Sequence, residues 1–93
     1  MTTRVSVISI IVEDGAATEK INEYLHEYKR YVLGRMGIPY RERKISVISI
    51  VLDAPEDKIS ALSGKLGRLD GVSIKTVYSR KVFEIVDEGE DYE

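Results

Sequence analysis

The chain has 93 residues, a formal net charge of −2 and no cysteine. That length supports one domain, and the lack of cysteine removes disulfides, thiolate nucleophiles and thiolate metal sites. Slight acidity argues against nucleic-acid binding driven by phosphate contacts, and no apolar run reaches membrane-spanning length, so a cytoplasmic protein is expected.

Met1-Thr2-Thr3-Arg4 leads into a β-branched run without the features of a signal peptide, and a strand is predicted from Arg4 to Glu13. Glu13-Asp14-Gly15 supplies turn chemistry. From Ala16 the period becomes helical, with Ala17, Ile21, Tyr24, Leu25, Tyr28 and Val32 on one stripe, and the helix is predicted to end near Arg30. Val32 to Tyr40 contains Gly34, Gly37 and Pro39, which an edge strand tolerates and a central strand does not. A charged turn, Arg41 to Lys44, leads to a strong strand over Ile45 to Asp53. Pro55 suits the first turn of a second helix, whose buried stripe is Ile59, Leu62, Leu66 and Leu69, with Gly67 or Gly71 at its end. Val72 to Tyr78 alternates as a last strand. Residues 1–81 are thus predicted to form the domain. Residues 82–93 form an extension in which Val82, Phe83, Ile85 and Val86 prolong the last strand or dock on the sheet, before a solvated acidic tail.

The two strong strands are copies of one another. Ser6-Val7-Ile8-Ser9-Ile10 returns as Ser46-Val47-Ile48-Ser49-Ile50, each followed by an acidic turn and a helical pattern. Two related strand-helix halves give the order β-α-β-β-α-β. The predicted fold is therefore α+β and ferredoxin-like: a four-stranded antiparallel sheet with two helices on one face. The repeated strands take its centre.

Those strands are apolar on both faces. Ile8, Ile10, Val12, Ile48, Ile50 and Leu52 are assigned to the helix-covered core. The opposite face holds Val5, Val7, Ser9 and Ile11 with Ile45, Val47, Ser49 and Val51. Leaving its six aliphatic side chains in water would forgo on the order of 1.5 kcal/mol each, and a contiguous patch of this kind marks an interface. A homo-oligomer, dimer or tetramer, joined through its sheets is expected; the alternative is that Phe83, Ile85 and Val86 fold back over the patch. On the second helix, Ser60, Ser63, Gly64 and Gly67 form a small-residue side that either packs within the chain or admits a partner or ligand.

No catalytic constellation accompanies the fold. The one histidine, His26, lies away from the apolar stripe of its helix, so neither a Ser/His/Asp set nor a transition-metal site can be assembled, and no cofactor is expected. Ser63-Gly64-Lys65 lacks the glycine spacing of a phosphate loop. Glu13-Asp14-Gly15 has the wrong charge for an acylphosphatase-type loop, and the central strands lack the aromatics of an RNA-recognition sheet. The remaining candidates are Arg35, Tyr40, Arg41 and Arg43, with Gly34 and Gly37 around them and the turn at Asp14 and Gly15 nearby. This set could hold a small anion or carboxylate; the alternative is a charged edge that resists aggregation.

Gly34-Arg35-Met36-Gly37-Ile38-Pro39-Tyr40-Arg41-Glu42 and Ala61-Leu62-Ser63-Gly64-Lys65-Leu66-Gly67-Arg68-Leu69 with Gly71-Val72 resemble the small family of iron-only hydrogenase system regulators. The likeness spans about residues 4 to 78, and the Leu-Ser-Gly-Lys-Leu-Gly run is its most specific part. The resemblance implies an ACT-like fold, similar to the ligand-sensing domain of the nickel-responsive regulator, in a class whose members associate through their sheets. It supplies no ligand residue to carry over. Nickel sensing would need several histidines and a cysteine, which this chain lacks. The function implied is a non-enzymatic regulator or sensor acting without direct nucleic-acid contact, with a small ligand held near a subunit interface. The alternative is a scaffold that binds a protein partner.

Overall fold

A computed structural model describes residues 1–84. It has the order β1 (Thr2–Val12), α1 (Thr18–Glu27), β2 (Val32–Tyr40), β3 (Ile45–Ala54), α2 (Glu56–Gly67), β4 (Val72–Tyr78) and a short β5 (Phe83–Glu84). The sheet runs β2-β3-β1-β4, antiparallel throughout, so the repeated segments are its two central strands. They pair with each other: Ser9 faces Ser49, Ile8 faces Ile50 and Ile10 faces Ile48. The two copies are thus related by a local two-fold through the serine pair.

With that register, Ile8, Ile10, Val12, Ile48, Ile50 and Leu52 all point to the helix side and are buried. α1 contributes Ile21 and Leu25 to this core, and α2 contributes Ile59, Leu62 and Leu66. Two of the small residues of α2, Ser63 and Gly67, serve packing within the chain. Ser63 Oγ lies 2.8 Å from Thr76 Oγ1, and a Cβ at Gly67 would touch the Ile74 side chain at 3.7 Å, so α2 settles close on β4.

The helix ends differ from the periodicity because local geometry intervenes. The Asp14 carboxylate accepts the Ala16 N–H at 3.0 Å and caps a 3₁₀ turn at Gly15–Ala17, which delays α1 to Thr18. At the other end Tyr28 leaves helical geometry and Lys29–Tyr31 form a second 3₁₀ turn, so α1 stops at Glu27. The two helices are clamped by Lys65, whose ammonium bonds Glu27 at 2.9 Å and lies over the Tyr24 and Tyr28 rings. The hydrogen bond and charge of Glu27 raise the Lys65 pKa above the ordinary lysine range.

β5 pairs Phe83 with Thr3 and Glu84 with Thr2. It continues the β4 side of β1 after an interruption at Ser79, whose hydroxyl accepts the Val5 N–H and donates to the Lys81 carbonyl. Ile85 and Val86, named above as a cover for the open face, lie outside the described residues, as does the acidic tail.

Gly71 is the glycine this fold requires. Its φ is +74°, its carbonyl accepts the Glu13 N–H at 2.7 Å, and an added Cβ would collide with the Asp14 Cβ. Gly71→Ala is therefore expected to cost about 2 kcal/mol or more in chemical denaturation. Gly37→Ala, which meets open space, should stay within about 0.5 kcal/mol. A raised lysine pKa means that the Lys65–Glu27 clamp contributes fully at neutral pH and is lost as pH climbs through the folded-state value. The stability difference between wild type and Lys65→Gln should accordingly persist through neutral pH and shrink at strongly alkaline pH, where Lys65 loses its proton.

Candidate functional site

Among the described residues, two helices cover one face of the sheet and leave the other open. On the open face the strand register assembles rows across the molecule. Val77, Val7, Val51 and Gly34 form one, and Ser73, Ile11, Val47 and Ile38 another. Between them run Lys75, Ser9, Ser49 and Met36, and Tyr40 stands opposite Ile45 at one end. Val5, Val7, Ile45 and Val51 are half-buried by their neighbours, which reduces the exposure that the sequence implied. The patch gains elsewhere. Met36, Ile38 and Val77 join it with 60%, 54% and 65% of their surfaces exposed, beside Ile11 at 43%. Alternation along β2 and β4 could have revealed these additions, had the glycines and proline of β2 not obscured its pairing.

On the helix side, β2 lies at the sheet edge and is only partly roofed. A cleft of about 300 Å³ opens between it and α1. Asn22, Leu25 and His26 of α1 form one wall with Lys29 of the following turn; Val32 and Arg35 form the other, and Ile50 is the floor. Arg35 pairs across the sheet with Ile50, and its Nη2 donates to Asn22 Oδ1 at 3.3 Å. A second hollow of about 240 Å³ continues along β2, where Arg35 and Gly37 face Val12, Thr18 and Ser46.

The residues named from the sequence as a ligand set are distributed among several places. Arg35 and Gly37 line the hollows on the helix side. Gly34 and Tyr40 face the open side, and Arg41 belongs to the 3₁₀ turn Arg41–Arg43 joining β2 to β3. Asp14 and Gly15 are engaged in the turn beside Gly71 and line neither hollow. Asn22, His26 and Lys29 went unrecognised as lining residues. Their spacing of four and three puts them on one side of a helix, but that this side meets β2 is a tertiary fact.

Among the described residues, no three His, Asp or Glu side chains come together as a metal-ligand group. No described helix is long and apolar enough to cross a membrane.

Comparison with curated proteins found no match. Among solved structures, the chain is similar to the uncharacterized protein TM1266 from Thermotoga maritima. The two share 40% identity and a TM-score of 0.78, over 82% of this chain and 96% of that one. It is also similar to part of a formyltetrahydrofolate deformylase from Pseudomonas putida KT2440, at 15% identity and a TM-score of 0.58. That match covers 77% of this chain and 28% of the other, and shows a shared fold alone. The family model described as "TM1266-like: Iron-only hydrogenase system regulator, putative" matches residues 4–76. With most of its length matched to that model, and with 40% identity to TM1266, the chain belongs to the TM1266-like family.

Proposed function

We propose that the protein is a non-enzymatic regulatory module of an iron-only hydrogenase system. In this reading it self-associates through the open face of its sheet and receives a small ligand beside β2. The family description supports the regulatory part. The observation that carries self-association is the set of aliphatic rows on a face that no helix covers.

The magnitudes favour association. Strands of about 30 Å, with β2, β3 and β1 side by side at about 4.8 Å spacing, present roughly 400 Å² in plan before side-chain relief is counted. That relief brings the face toward the ~800 Å² per partner of a standard interface. A second copy is a suitable occupant because its own patch is equally apolar and a two-fold arrangement is self-complementary. Lys75 and Ser73, on the β4 edge, would fall at the rim, where a charge stays hydrated.

The ligand part rests on the two hollows flanking Arg35.

Native mass spectrometry with light scattering tests the reading. Wild type should be a dimer or tetramer, and the double variant Val7→Asp/Val47→Asp should be monomeric with an unchanged far-UV spectrum. A double variant that keeps its assembly mass would contradict an interface on this face. Protein isolated gently and without oxygen should carry a stoichiometric extra mass; a bare multimer that captures a protein partner instead would favour a scaffold over a sensor.

A further inference from the structure

We infer that the cleft between α1 and β2 is a binding site for a small organic anion, one with a carboxylate or phosphate head and a short apolar body. The inference names the ligand class for the sensor reading above and rests on that reading only for what binding would accomplish.

The cleft differs from its surroundings in charge. The chain carries 16 acidic and 14 basic residues, yet the walls and floor of the cleft hold no carboxylate. Arg35 projects from β2 and Lys29 from the turn after α1, so two cations approach from two sides, with the His26 imidazole beside Lys29. Among the described residues none of the three is in an ion pair; the Arg35 bond to the neutral Asn22 amide is the side-chain hydrogen bond that holds it. Cations free of ion pairs that converge on a concave surface raise the local concentration of anions.

Geometry adds specificity to this charge. Guanidinium is a planar fork that matches the two oxygens of a carboxylate or phosphate, and its tether to Asn22 limits the orientations it must give up on binding. Lys29 and His26 would supply further charge or hydrogen bonds from the opposite wall. Val32 and the accessible edge of Leu25 are the apolar lining, above a fully buried Ile50. A volume of about 300 Å³ equals roughly ten water volumes, so a ligand on the order of ten non-hydrogen atoms fits. A bare inorganic anion would leave the apolar surface of Val32 and Leu25 unused.

Titrations of isotope-labelled full-length protein with benzoate and with phenyl phosphate, followed by NMR, test this inference. Saturable shifts should centre on Asn22, His26, Lys29 and Arg35. Benzoate should bind at least several-fold more tightly than acetate, and phenyl phosphate more tightly than inorganic phosphate. The two affinities rank a carboxylate against a phosphate head for this cleft. Arg35→Met should weaken binding at least tenfold and Lys29→Met several-fold, each with the spectrum of a folded protein. Arg68→Met, an exposed arginine outside the cleft lining, should leave it unchanged. Shifts that map elsewhere, or equal affinity in Arg35→Met and Arg68→Met, would overturn the site. Sedimentation of the same samples separates the two readings, since saturable cleft binding by a monomer would uphold the anion site while contradicting self-association.

Discussion

The pairing of β1 with β3 is the constraint on which the rest of the structure depends. Each strand carries one copy of the same pentapeptide, and antiparallel pairing about Ser9 and Ser49 superposes equivalent side chains across the two-fold. The isoleucines of both copies therefore reach the same face together, where α1 and α2 cover them. The valines fall together on the other face. A one-residue slip would exchange these sets and put Val7 and Ser9 where Ile8 and Ile10 are now buried.

That central pair also explains why function is sought at the periphery. A sheet with two helices has one covered face, and covering it consumes the apolar stripes of both. The open face remains apolar at its centre because its central strands were never relieved of their β-branched residues. The edge strand β2, beyond the reach of full helical cover, is left with clefts on its helix side and exposed Met36 and Ile38 on the other. One strand thus contributes to both surfaces, and anything that shifts β2 relative to β3 would alter the cleft and the open face together.

The fold was legible because its signals are local and periodic. The repeat, the change from a two-residue to a helical period, and the proline at Pro39 suffice for strand order and for identifying the edge. The 3₁₀ turns that shorten α1 were harder to see, since Asp14 capping Ala16 competes with the helix within a single turn. The cleft was legible only in part. Arg35 was visible as an arginine on a glycine-containing edge strand, but its alternation partners Gly34 and Tyr40 point to the other face. The opposite wall comes from α1, where Asn22, His26 and Lys29 read as a solvated helix side until β2 is placed beside them.

Because the chain has no cysteine, a single engineered thiol can report directly on the open face. A spin label at Ser9→Cys lies at the centre of the patch, and one at Asp57→Cys lies on the exposed side of α2. Face-to-face sheets pack at about 10 Å, so association through this face predicts strong dipolar broadening from Ser9→Cys and none from Asp57→Cys. Broadening from Asp57→Cys alone, or from neither label at concentrations where the labelled protein itself is multimeric, would contradict the proposed interface.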